Sequence, residues 1–151
     1  EFEKLIRENK FLEHAKVFNN YYGSLKDTVI SRLNMGEDVL FDIDWQGTEQ
    51  IKEKKLKYKT ITIFILPPSK NELFKRLLHR DQNDKKIANE RMKQFNEDVL
   101  HWKNYDFVVI NDELESCYNK IKTYVNIKKE NLKFLGYDKE IIKKHIENLL
   151  N

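Results

Sequence analysis

With 151 residues and a 40% hydrophobic fraction, the chain is long enough for one folded domain with a core, while its longest apolar run, Ile61 to Leu66 around one Thr, is too short to span a bilayer. Its 28 basic and 25 acidic residues leave a net charge of only +3, so no global field draws in nucleic acid polymer or anionic lipid, and any anion site must be local. No charged-then-apolar leader opens the chain and the one cysteine, Cys117, has no partner for an internal disulfide, so a reducing, cytoplasmic setting is expected.

In chain order, the first periodic segment is a helix from Leu25 to Met35, closed by Gly36. Asp38 to Asp44 then reads as a buried strand, followed by a helix from Gln46 to Lys54 and a second strand from Thr60 to Leu66. Pro67 and Pro68 break the chain, and Ser69 three residues before Glu72 gives the spacing of a capping box for a helix reaching His79. The polar stretch Asp81-Gln82-Asn83-Asp84 reads as a mobile loop between Arg80 and Arg91. A helix from Lys85 to Lys103, a third strand from Asp106 to Ile110 and a helix from Glu113 to Lys129, capped by Asp112, come next. The stretch from Tyr137 to Asn151 closes as an amphipathic helix, with Ile141, Ile142, His145, Ile146 and Leu149 on its packing face. Strand and helix alternate, which predicts an α/β fold with a parallel sheet, and the near-continuous apolar strands predict cover on both sheet faces.

Three constellations carry chemistry. Asp42 and Asp44 end an apolar strand two residues apart, hence on one face, where paired acids hold a metal's water shell or accept from a donor-bearing ligand. The plainer alternative is two solvated residues opening a loop. Arg76 and Arg80 share a helix face, with Arg91 beyond the polar break, and only five of the 28 basic residues are Arg. A guanidinium fork grips phosphate where Lys offers a point charge, so these three suit the charge of phosphoryl transfer; chance placement on a solvated helix is the alternative. Asn19 to Ser24 is a polar, aromatic, Gly-containing turn near Glu13, in which Tyr and Ser hydroxyls and the Glu13 carboxylate match phosphate and purine edges, or else are ordinary surface groups. The four histidines show no metal-ligand spacing with cysteine and no nucleophile elbow is visible, so zinc and Ser-hydrolase chemistry are poor candidates.

Taken in order, Phe11-Leu-Glu-His-Ala15, Asn20-Tyr-Tyr-Gly-Ser24, Asp42-Ile-Asp-Trp-Gln-Gly47, Phe64-Ile-Leu-Pro-Pro-Ser69, Leu73 to Arg80 and Val109-Ile-Asn-Asp112 closely resemble the guanylate kinase family, over residues 1 to 127. The resemblance implies a P-loop NTPase-like parallel sheet flanked by helices, with the latter part of a GMP-binding lobe over residues 1–37. A core α/β domain over 38–79 and 96–151 and a moving lid over 80–95 complete the implied organisation. It further implies Glu13 as acceptor for guanine N1 and N2, Ser24 as partner of O6, Tyr22 as donor to the GMP phosphate and Asp44 as the guanine-lobe acid. The resemblance likewise implies Asp42 towards Mg2+ through water, Arg76, Arg80 and Arg91 on the ATP phosphates and the transferring group, and Asn111 near the adenine.

The implied reaction is in-line transfer of the ATP γ-phosphoryl group to GMP, with Mg2+ as cofactor, in a monomer or homodimer. Departures from the pattern are Asp81 where Gly is usual and His14 where Trp is common. The four glycines, at 23, 36, 47 and 136, form no G-x-x-x-x-G-K-[ST] loop, so the chain is expected to be N-terminally incomplete and inactive without that loop. The competing reading is a non-catalytic guanylate-kinase-like module that binds an acidic or phosphorylated peptide.

Overall fold

The computed structural model describes residues 1–17, 20–133, 136 and 138–151. The chain packs as two compact units, Glu1–Thr60 and Ile61–Asn151.

In the first unit a short helix, α1 (Phe2–Arg7), precedes an antiparallel hairpin of β1 (Phe11–Val17) and β2 (Asn20–Leu25). Of the segment Asn19 to Ser24, expected as a turn, Asn20 to Ser24 is therefore a strand, and Asn19 lies outside the described residues. Its polar composition hides this, because its ladder is completed by a partner the local pattern does not show. Gly23 is needed here for close approach: a Cβ on it would stand 2.8 Å from Phe11 Cδ1 and 2.9 Å from Cε1. Phe11, Phe2 and Tyr21 stack on this side, with Phe2 and Phe11 ring centroids 4.4 Å apart.

The helices α2 (Lys26–Asn34) and α3 (Trp45–Glu53) follow, and Gly36 at φ +81 allows the chain to leave α2 as the sequence predicts. Leu12, Val29 and Ile51 form the core of this unit, with Leu33, Val39, Phe41, Ile43 and Leu56 against it. Residues 38–44 are not a strand, and no described residue gives them a ladder partner. One face alone is buried: Val39, Phe41 and Ile43 turn to the core while Leu40 is 95% exposed. Cover on both faces is thus not found at this segment. An apolar run fixes which residues can be buried, not how many neighbours a strand has.

In the second unit β3 (Ile63–Leu66) and β4 (Phe107–Ile110) run parallel in the register Ile63 to Phe107 through Leu66 to Ile110. Between them the chain forms α4 (Lys70–Arg80), α5 (Lys85–Asp98) and a 3-10 turn at Val99–Asn104, so the single helix expected from Lys85 to Lys103 changes pitch at its end. α6 (Leu114–Lys129) and α7 (Lys139–Leu150) complete the chain. Leu66, Val99, Trp102, Val108, Ile142, Ile146 and Leu149 make the core, which seats α7 by most of the face expected for it; Ile141, expected on that face, is 62% exposed, and Tyr137 lies outside the described residues. Ile65 remains 50% exposed, so β3 also departs from cover on both faces.

Two polar devices hold this unit's strand ends. Ser69 Oγ accepts from Glu72 N at 3.1 Å and caps α4 as predicted. At the opposite end, Asp106 Oδ2 accepts from Thr62 N (2.9 Å) and Thr62 Oγ1 (3.1 Å), and Asp106 N donates back to Thr62 Oγ1 (3.0 Å). Lys128 of α6 reaches Asp106 Oδ1 at 2.7 Å. Burial raises the Asp106 pKa, but the hydrogen bonds from Lys128 and Thr62 outweigh it and hold the carboxyl below its ordinary value. The cap of α6 is Glu113 rather than Asp112: Glu113 accepts from Ser116 N at 3.0 Å, and Asp112 instead accepts from Glu113 N at 2.8 Å. Both residues suit a cap, and the start of the helix, one residue later than expected, decides between them.

Candidate functional site

The hairpin register places Glu13 opposite Ser24 and Ala15 opposite Tyr22, so Glu13, Ser24 and Tyr22 share one face of the two strands. Glu13 is only 3% exposed, and Ser24 Oγ donates to its Oε1 at 2.5 Å. Burying a carboxylate disfavours folding unless it is bonded, and Ser24 satisfies one of its several acceptor sites. Tyr22 is exposed, its hydroxyl in reach of solvent. Three of the four residues expected on the GMP side therefore form one set: two interlocked groups below and a phenol above the surface.

α3 braces this set. Its Gln50 donates from Nε2 to His14 O at 2.7 Å and accepts from His14 N at 3.0 Å, standing in for a peptide group along the outer edge of β1. Asp44 is its N-cap, with Oδ1 accepting from Gly47 N at 2.9 Å and Oδ2 from Gln46 Nε2 at 3.2 Å. Both Asp44 oxygens are thus engaged, whereas Asp42 is exposed on the face away from the core. A single exposed carboxylate suits Mg2+, which keeps most of its waters and is held through them.

The arginines occupy the second unit. Arg76 donates from Nε to Glu72 Oε1 at 2.8 Å and from Nη1 to the Asn111 carbonyl at 3.0 Å. Two sequence-predicted residues, 35 positions apart, are brought together in this way. Arg80 lies exposed in the last turn of α4. Arg91, on α5, pairs through Nε with Asp81 Oδ2 at 2.9 Å, and the Asp81 side chain is 8% exposed.

The polar break between α4 and α5 is a tight turn, with Gln82 and Asn83 at φ 53 and 68 and Asn83 N donating to Leu78 O at 2.7 Å. Asp84 accepts from Lys86 and Ile87 N–H groups to start α5. Asp81, which the sequence marks only as a departure from Gly, thus has a defined role as the carboxylate facing Arg91. Cys117 is buried, and burial pushes its thiol pKa up, so it is no nucleophile. Among the described residues no group of three or more His, Cys, Asp or Glu side chains could hold a metal, and no helix is long and apolar enough to cross a membrane.

Parallel strands joined through an arginine-bearing helix pair, with helices packed on the sheet, define an α/β protein, and its structural neighbour places it in the P-loop NTPase-like class. A crystal structure of guanylate kinase from Anaplasma phagocytophilum shares this fold at a TM-score of 0.63 and 27% identity, covering 97% of this chain and 68% of that one. The chain belongs to the guanylate kinase family, whose profile matches residues 1–128.

Among curated relatives, the guanylate kinase of Blochmanniella floridana is 40% identical over 151 residues, all of this chain and 68% of that protein. Those of Buchnera aphidicola and Pseudoalteromonas translucida are 42% identical over 125 residues and 44% over 133, covering 83% and 88% of this chain. The chain spans 59% and 64% of the lengths of these two.

Proposed function

We propose that the protein carrying these residues transfers the γ-phosphoryl group of ATP to GMP, giving ADP and GDP, in the cytoplasm. The observation that carries this reading is the buried Glu13 carboxylate locked to Ser24. Guanine presents adjacent N1–H and N2–H donors with an O6 acceptor beside them; adenine presents a bare N1 and an N6 amine. A buried carboxylate beside a hydroxyl donor matches the first edge and leaves unmet acceptors against the second, the kind of mismatch that discriminates most strongly.

Ser24 has one hydroxyl proton, given to Glu13 in this structure. When guanine binds, that proton turns to O6 while Glu13 accepts N1–H and N2–H, so one internal bond is exchanged for three with the base. Asp44, pinned by the cap of α3, is a further acceptor on the guanine side, and the exposed Tyr22 hydroxyl donates to the GMP phosphate. Arg76, Arg80 and Arg91 bring fixed positive charge to the transferring group, and Asn111 lies on the adenine side. Asp42 would hold the water shell of Mg2+ bound with ATP, and that ion supplies neutralisation of phosphate charge. Transfer is direct: a GMP phosphate oxygen forms the new bond to the γ-phosphorus as the bond to the ADP oxygen breaks, and no protein nucleophile intervenes.

These 151 residues contain no Gly-rich phosphate loop, so the expected turnover belongs to a polypeptide that carries one as well. The test is a coupled assay with ATP, Mg2+ and either GMP or AMP, on the chain as given and on a form extended by an upstream phosphate loop. GMP-specific ADP formation by the extended form supports the reading, and no turnover with GMP overturns it.

A further inference from the structure

We propose that Gly47 is a specificity-determining residue: its missing side chain is the space in which the Glu13 carboxylate stands, while its N–H fixes Asp44. This deepens the guanine reading above and rests on it. A Cβ on Gly47 would lie 2.7 Å from Glu13 Oε2, well inside van der Waals contact, and 3.3 Å from Ile43 Cβ and Cδ1. The same residue donates from its N–H to Asp44 Oδ1 at 2.9 Å. One backbone position thus bears on both acids of the guanine side.

Conformation does not call for glycine here. Gly47 lies within α3 and is absent from the residues with positive φ, so any L-residue could adopt its backbone angles. Glycine is also a poor helix former, and Ala in its place would favour the helix. What remains is volume. At 3.3 Å the two Ile43 atoms would have to give by only a few tenths of an ångström, whereas Glu13 Oε2 at 2.7 Å must shift, and Glu13 is 3% exposed and tied to Ser24 across the hairpin. The group that must move is the carboxylate, and moving it breaks the Ser24 contact.

Gly47→Ala is therefore a variant that leaves the fold intact and misplaces the base reader. The experiment is a double-mutant cycle on the full chain, with Gly47→Ala and Glu13→Gln made singly and together. GMP and AMP affinities are read by titration calorimetry, with a thermal unfolding curve for each variant. Gly47→Ala is expected to weaken GMP roughly ten- to a hundredfold, the loss of about one hydrogen bond to a charged group, with AMP little changed. In the Glu13→Gln background the same change is expected to cost nothing further.

Unchanged GMP affinity in the single variant, or an equal loss with and without Glu13, overturns the proposal. A Gly47→Ala chain that unfolds or melts far lower overturns it too, because the added methyl would then be resisted by the packing and not relieved by the carboxylate. If the unaltered chain itself shows no preference for GMP over AMP, the guanine reading fails and this inference goes with it. Preference in the unaltered chain that persists in Gly47→Ala defeats the inference alone.

Discussion

The two units handle charge in opposite ways. In Glu1–Thr60 the working carboxylate is buried, set by strand register, and locked to one hydroxyl, with a glycine cut to its shape. In Ile61–Asn151 the arginines sit on helices: Arg76 makes an exposed pair with Glu72 of its own helix, whereas Arg91 of α5 reaches the shielded Asp81 carboxylate of the turn before it. A base must be recognised by shape and donor pattern, which needs rigid, desolvated groups. A phosphate is recognised by charge, and the exposed Arg76 can exchange its internal carboxylate for it at small cost, because exposed ion pairs are worth little. Alterations in the first unit should therefore change which nucleotide binds, and an alteration at Arg76 should change little until phosphate is present.

The largest break in this contrast is expected from Leu12→Ala, which empties a fully buried position directly under the hairpin. It should cost about 2–5 kcal/mol in denaturant unfolding and carry GMP binding away with the hairpin. Next comes Glu13→Gln, which keeps the shape but replaces acceptors with a donor. Roughly a hundredfold loss of GMP affinity by calorimetry is expected, with AMP unaffected or improved.

Asp106→Ala removes the clamp joining the starts of β3 and β4 and should cost about 2 kcal/mol, without altering which base is preferred. The sign of its pH dependence follows from a folded pKa held, against burial, below the ordinary carboxylate value by the bonds from Lys128 and Thr62. The stabilisation is present above the unfolded pKa and is lost as pH falls through the folded one. The unaltered chain should therefore outlast Asp106→Ala at pH 7 and lose part of that margin in acid below about pH 4, measured by thermal unfolding. The smallest effect belongs to Glu72→Gln, an exposed helix pair with Arg76, expected to change stability by under about 1 kcal/mol. A larger loss there would show that the arginine surface is held more rigidly than the contrast allows.

Much of this was legible in the sequence where the signal is local. Ser69 and Glu72 announce the start of α4, Gly36 the end of α2, and the spacing of Ile142, Ile146 and Leu149 the docked face of α7, though Ile141, read with them, is exposed. Asp42 faces outward because Phe41 and Ile43 face in, but Asp44, expected on the same strand face, instead caps α3. What stayed hidden depends on partners distant in sequence. β2 reads as a turn until β1 pairs with it, and residues 38–44 read as a strand although no described partner pairs with them. The Arg76 to Asn111 bond and the Asp81 to Arg91 pair need the β3 to β4 register and the turn at Gln82-Asn83, which no pattern in composition encodes. Gly47 is visible as a glycine at a helix start, but its reason, the Glu13 carboxylate, lies 34 positions earlier in the chain.

The most direct measurement is the proton spectrum of GMP bound to the chain, with nuclear Overhauser contacts followed from the guanine N1 imino proton. A slowly exchanging imino resonance with contacts to the Glu13 side chain and Ser24 is the expected result. An imino proton that exchanges freely with water, or one whose contacts fall outside the hairpin, would contradict a guanine site built on Glu13.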